Sequence, residues 1–330
     1  MLASIRYLFW NDQERRPRAL WRIMGQLFLL ILLLIITVIL VILFIQSTTG
    51  NLGINNPIFL LFSSAATLLS ITVSVWLAGH FMDRRSFADF GLHVDRNWWL
   101  DLTFGMGLGA ILMLSIFLVQ WATGWIIVTG IFWQAEPQSP FLLVILPPLL
   151  TYLCVGFYEE LLTRGYWLRN LAEGLYMPHI GPQTAIVLAW SISSAAFGLL
   201  HLGNPNASII STMNIALAGL FLGLGYVLTG SLAIPIGIHI TWNFFQGHVF
   251  GFPVSGMQSR VSFIGIEQGG PTLWTGGDFG PEAGLLGILA MMVGSTATIL
   301  WVRQRYGHIH LHIALTEPPV RRAATQPVHQ

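Results

Sequence analysis

Residues 23–45 read IMGQLFLLILLLIITVILVILFI and contain no charged side chain. A helix crosses the hydrocarbon core of a bilayer with about 20 apolar residues. The run exceeds the ~7–15-residue core of a secretory signal, and no small-residue cleavage site follows it, so it reads as a retained membrane helix. Comparable runs recur at Pro57–Phe81, Trp98–Ile127, from Pro140 onward, and near 183–201, 209–228, 231–250 and 282–302, which makes about eight spans. Backbone groups in lipid must be satisfied within their own segment, and no series of short alternating segments suggests a barrel. The expected fold class is therefore an all-α polytopic membrane protein. Of the 330 residues, 54% are hydrophobic and only 9% charged, whereas a soluble domain has about a quarter charged. A net charge of +1 gives no reason to expect a nucleic-acid partner; the lipid bilayer is the partner that composition demands. The single cysteine, Cys154, cannot form an internal disulfide, and its apolar surroundings suggest a buried, inert thiol.

Charge sets the expected orientation. Arg6, Arg15, Arg16, Arg18 and Arg22 precede the first span, Arg84, Arg85 and Arg96 lie between the second and third, and Arg303, Arg305, Arg321 and Arg322 follow the last. The connection STTGNLGINNP carries no charge, and the one before Pro140 carries only Glu136. The positive-inside rule then puts both termini in the cytoplasm of a multi-pass protein of the cell membrane. The chain divides into helices 1–3 (residues 1–139), a core of helices 4–7 (140–250), a loop with the last helix (251–315) and a polar tail (316–330) expected to be disordered. The Gly- and Pro-rich connection 251–281 is expected to be irregular. Residues 164–176 are expected to extend the fourth helix into the interface.

Few spans carry polar chemistry, and ionisable groups inside a membrane usually face a bundle interior or a water-filled cavity. The fourth holds FYEELLTRGYW, with Glu159, Glu160 and Arg164. Glu160 and Arg164, four apart, share a helix face and can pair. Glu159 points about 100° away. It has no partner within its own helix and is free to act as a general base. The fifth span ends with Phe197 and His201, also four apart; the seventh holds His239 and Asn243 at the same spacing. No Ser–His–Asp constellation is comparable, and H-E-x-x-H is absent. Two water-activating chemistries fit. Histidines with a carboxylate can hold a zinc ion, for which His201 and His239 are the candidate ligands. Alternatively, Glu159 activates water directly, with His and Asn as an oxyanion site.

These residues match three motifs in order: E-E-x-x-x-R at Glu159, Glu160 and Arg164, F-x-x-x-H at Phe197 and His201, and H-x-x-x-N at His239 and Asn243. Over residues 140–250 the chain resembles the CPBP intramembrane protease family, also called the Abi family, which includes the type II CAAX prenyl endopeptidases. The resemblance implies an eight-helix intramembrane endopeptidase with a conical cavity open to the cytosol. It implies that Glu159 is catalytic, that Glu160 and Arg164 support the site, and that His201, His239 and Asn243 bind a metal or the oxyanion. The implied substrate is a membrane-tethered or prenylated polypeptide. One geometric conflict stands against simple helices. At 1.5 Å per residue, His201 lies about 27 Å along a fifth helix begun near Gln183, and His239 only about 12 Å along the seventh. Tilt, a shorter fifth helix or a re-entrant start to the seventh would reconcile them.

Blander readings accompany each feature. Glu160 and Arg164 suit a structural ion pair, Glu159 an interfacial helix end, His201 a helix cap, and His239 with Asn243 interhelical hydrogen bonding. His248 reads as interfacial, and the alternation His308, His310, His312 as a solvated tail. Gly105 to Gly109, like Gly219 and Gly223, read as close helix packing rather than a nucleotide loop, since no strand precedes them. A non-catalytic immunity or scaffold protein of the same fold, and a proton-coupled transporter using the same acid and histidines, are the rival functions.

Overall fold

The computed structural model describes residues 8–49, 57–137 and 139–319. Its helices are α1 (Ala19–Thr49), α2 (Pro57–Ala78), α3 (Arg96–Ala122), α4 (Phe141–Glu160), α5 (Arg169–Leu175), α6 (Pro182–Leu200), α7 (Ile209–Thr229), α8 (Ala233–Phe244) and α9 (Leu285–Tyr306), besides one turn at Thr272–Thr275. Seven spans among the described residues are long and apolar enough to cross a membrane. The seventh expected span, near 231–250, is the one not among them: it contains α8, which is shorter because it starts inside the protein. Sequence punctuation sets the ends: Asp95 caps α3 by accepting from the Trp98 amide at 2.8 Å, Pro182 opens α6, and Gly230 closes α7 with φ 70°.

The third expected span is shorter than its apolar run. Helix α3 ends at Ala122, and Ile126–Gln134 forms strand β3. It pairs antiparallel with β4, Val261–Gln268, across a bulge near Gly130. The connection expected to be irregular therefore contains an ordered strand, and the helical bundle carries a two-stranded ribbon at one end. β-Branched residues at Ile126, Ile127, Val128 and Ile131 favour the extended backbone over continued helix. A second, two-residue pairing joins β1 (Trp10–Asn11) to β2 (Arg16–Pro17) at the other end.

Glycines let α8 sink against its neighbours. A Cβ on Gly105 would meet the Ile234 carbonyl oxygen at 2.4 Å, and one on Gly109 would meet the Ile238 carbonyl oxygen at 2.6 Å. The glycine-rich run in α3 is thus a packing surface. It sets Ile238 and His239 level with the middle of α3. Every residue from Ala233 to Trp242 is buried. The α7–α8 turn lies beneath the chain on both sides: the Leu232 amide donates to Gly91 and the His312 amide to Val227. This recessed start resolves the depth conflict between His201 and His239. His308, His310 and His312 are exposed, as the solvated reading expects, although the chain beyond them returns to the protein, with Leu315 and Thr316 buried. The tail expected to be disordered from 316 begins with an ordered turn, Ile313–Thr316; residues 320–330 lie outside the described chain.

Residues 164–175 extend the fourth helix as expected, and all of residues 164–172 but Leu171 are buried in the protein. Helix α4 runs through a π-helical stretch, Leu161–Leu168, into α5, and Tyr166 and Leu168 are wholly buried. At its far end the Glu173 carboxylate accepts from Arg16, from Arg22 at 2.6 Å and from Arg85 at 2.8 Å. Asp83 accepts from Arg22 at 3.2 Å and from the Tyr166 hydroxyl at 2.7 Å. These groups are buried, and they knit α1, α2 and α5 together. Removing one member of such a cluster leaves uncompensated buried charge, at about 3–5 kcal/mol. Glu173→Ala is expected to lose stability of that order, read as a large drop in the midpoint of thermal unfolding in detergent; an unchanged midpoint would show that the cluster is not holding the helices.

Candidate active site

Glu159 and Glu160 are the last two helical residues before the π-helical stretch begins. Such stretches recur at functional sites because they displace side chains from regular helical phase and free backbone groups. Here the freed groups are taken up by neighbours: Thr163 donates to the Glu159 carbonyl at 2.6 Å, and Ser193 of α6 donates to the Thr163 carbonyl at 2.6 Å.

Glu160 is completely buried. Its Oε1 accepts from Arg164 Nη1 at 2.9 Å and meets His239 Nδ1 at 2.7 Å. An ionised carboxylate can only accept, so Nδ1 carries the proton, and whenever the ring is neutral Nε2 is the unprotonated atom. Sequence spacing identifies the bond to Arg164, but the bond to His239 joins residues 79 apart and has no local signature. Arg164 also donates to Thr163 Oγ1 at 2.9 Å and to the Gly219 carbonyl of α7 at 3.0 Å. Its guanidinium lies 4.3 Å from the centre of the Phe197 ring, a cation–π arrangement. Phe197 in turn packs on the rings of His201 and His239, at 4.8 and 6.1 Å.

His239 Nε2 faces Glu159 Oε2 at 3.7 Å. That is too long for a direct hydrogen bond. It is short enough for one water molecule to touch both atoms. Glu159 Oε2 is buried without a hydrogen-bond partner among the described residues, although the side chain as a whole is 23% exposed. His201 ends α6, with Nδ1 donating to the Phe197 carbonyl at 2.8 Å, so its Nε2 is the free atom. Asn243 lies one turn beyond His239. Glu159, His201, His239 and Asn243 all line one cavity of about 830 Å³. The fold thus brings all four into one space, and Glu160, Arg164 and Phe197 buttress them from behind.

The arrangement fits a metal less well. Among the described residues no group of three His, Cys, Asp or Glu side chains is gathered closely enough to hold a metal ion. Glu159 and His239 offer two ligands, and His201 stands across Phe197 from them.

Several cavity residues escape sequence reasoning. His248 is buried within the protein. It lines the cavity, where Nδ1 donates to the Val261 carbonyl at 2.7 Å and its ring packs on Tyr152. Glu282 lines it from the chain before α9. It accepts from Gln246 and, at 2.6 Å, from the Ser255 amide, so it latches residues 253–255 over the cavity. Cys154 is half-buried rather than buried. Spacing could not have found Glu282, because its partners lie on another helix and a loop.

Residues 140–245 match the family model of Rce1-like type II CAAX prenyl endopeptidases. This is the family that the three motifs resemble, and the matched segment contains every residue of the four-residue site. The match supports an intramembrane protease of the CAAX type. No curated protein and no solved structure matches the chain.

Burial raises the Glu282 carboxyl to about 7, against hydrogen bonds from Ser255 and Gln246 that favour its charged form. Because the folded-state value is raised, the contribution to stability is fully present below the ordinary 4.5 and is lost as pH rises from there through about 7. Hydrogen-exchange protection of residues 254–259, corrected for intrinsic rates, should therefore fall between pH 6 and pH 8. Glu282→Gln should remove the dependence; equal protection at both pH values in the wild type would contradict the latch.

Proposed function

We propose that the chain is an intramembrane endopeptidase that hydrolyses a peptide bond of a membrane-tethered or prenylated, CAAX-type polypeptide, with Glu159 as its general base. The observation that carries this reading is the Glu159–His239 pair, separated by 3.7 Å across a cavity with an orphaned carboxylate oxygen. A water molecule between them gives one hydrogen bond to Glu159 and one to His239 Nε2. Glu159 takes its proton as the oxygen attacks the scissile carbonyl carbon. The amide of Asn243 donates to the developing oxyanion. Collapse of the tetrahedral species breaks the C–N bond, and Glu159 returns the proton to the departing amine. With Nδ1 committed to the Phe197 carbonyl, His201 offers Nε2 to water or substrate. Glu160 and Arg164 touch no reacting atom; they hold His239 and its tautomer. The apolar walls from α1 and α2, with Leu30, Leu34 and Leu60, suit a lipid-bearing substrate entering from the bilayer. The protein sits in the cell membrane with its arginine-rich end in the cytoplasm.

A purified sample should cleave a farnesylated CAAX reporter peptide. Glu159→Gln should lose about 10²–10⁴-fold in rate, the usual contribution of a general base, while retaining the wild-type unfolding midpoint. A zinc chelator should leave the wild-type rate unchanged; its loss on chelation would assign Glu159 and His239 to a metal. Wild-type rates in Glu159→Gln would remove the glutamate mechanism.

A further inference from the structure

We infer that the cavity receives its substrate from the non-cytoplasmic side of the membrane, which selects, of the two substrates proposed above, a membrane-tethered polypeptide exposed on that side over one prenylated in the cytoplasm. The inference rests on the protease reading for the word substrate, but its geometry stands apart from it.

Alternation of the spans gives the molecule two ends. One end carries the chain before α1, the α2–α3 connection, α5, the α7–α8 turn and the chain after α9. Contacts across the bundle confirm the grouping: Arg16 with Glu173, Arg85 with the Glu317 carbonyl, and Arg305 with Asn97. The other end carries the β3–β4 ribbon, the α6–α7 connection and the long chain from α8 to α9. Asn204 of one donates there to the Ser255 carbonyl of the other at 3.1 Å.

The basic residues divide unequally between these ends. Arg164 lies inside the bundle, and Arg260 is the one described arginine at the ribbon end, where it pairs with Glu136. Glu267 and Asp278 lie at the same end. All the other described arginines belong to the opposite end. The bias of arginine toward cytoplasmic connections therefore puts the ribbon outside.

From Glu159 the cavity runs toward the ribbon end. Its walls include Asn204 and Asn206, and it reaches Gln258 and Arg260, which are exposed. None of its lining residues comes from a connection at the arginine-rich end. That side of the site is filled: Tyr166, Leu168, Leu232 and Leu315 are wholly buried. In this fold a cytosolic opening and an inward arginine-rich end cannot both hold. Charge and cavity shape together select the outside. Polar groups at the mouth and apolar walls toward α1 and α2 fit a chain tethered to the outer leaflet.

Thiol accessibility tests this without any turnover. In a Cys154→Ala background, which removes the sole cysteine, Val155→Cys places a thiol on the cavity wall, one turn before Glu159. His308→Cys places one on the arginine-rich end, at an exposed position. Labelling after detergent solubilisation confirms that both thiols are reactive. A small membrane-impermeant thiol reagent should modify Val155→Cys in intact bacterial cells and His308→Cys only in inverted vesicles. Modification of Val155→Cys only in inverted vesicles, or from neither side, overturns the inference. A protein that passes this test but cleaves nothing would sink the protease reading alone.

Discussion

The site depends on one buried carboxylate with two obligations. Glu160 Oε1 accepts from Arg164 on its own helix and from His239 on another. Taking a carboxylate into a dry interior costs several kcal/mol unless charge and hydrogen bonds compensate it. Arg164 supplies the charge, and Gly219 and Thr163 hold Arg164 in turn. With that cost met, Glu160 fixes the ring of His239 and determines which of its nitrogens is free. Glu159, one residue earlier, is excluded from this network by helical phase and faces the cavity instead. The two adjacent acids thus acquire opposite tasks from their environments.

The rest of the fold places α8 where this bond can form. The glycines of α3 allow backbone-to-backbone approach, and the recessed α7–α8 turn lifts His239 to the middle of the bundle. Phe197 then fills the space between the two histidines and under Arg164. The arginine–carboxylate cluster around Glu173 and Asp83 closes the same bundle at one end, and the ribbon and the Glu282 latch frame the cavity at the other.

Much of this was legible in the sequence. Spans appear as apolar runs with few charges, because a charge in lipid is costly. The four cavity residues stand out because polar groups are rare there and recur at spacings of four. The Glu160–Arg164 pair follows from the same spacing. The bond from Glu160 to His239, the Glu282 latch and the burial of His248 do not, because each joins segments far apart in sequence. The ribbon was hidden for a different reason: an apolar run continuous with α3 looks like helix until its β-branched residues are weighed, and its pairing partner lies in a Gly- and Pro-rich stretch. The packing of residues 164–172 inside the protein is equally illegible, because the partners of Tyr166 and Trp167, Asp83 and Gln26, lie on other helices.

The most direct test is the protonation pattern of one imidazole. Nitrogen-15 spectra of histidine-labelled protein, with His239 assigned by difference against His239→Gln, report which ring nitrogen carries the proton. At a pH where the ring is neutral, the account predicts a protonated Nδ1 and a bare Nε2, and a loss of that preference in Glu160→Gln. A neutral His239 protonated at Nε2 in the wild type would contradict it, since the nitrogen facing Glu159 could then no longer accept a hydrogen bond from the water to be activated.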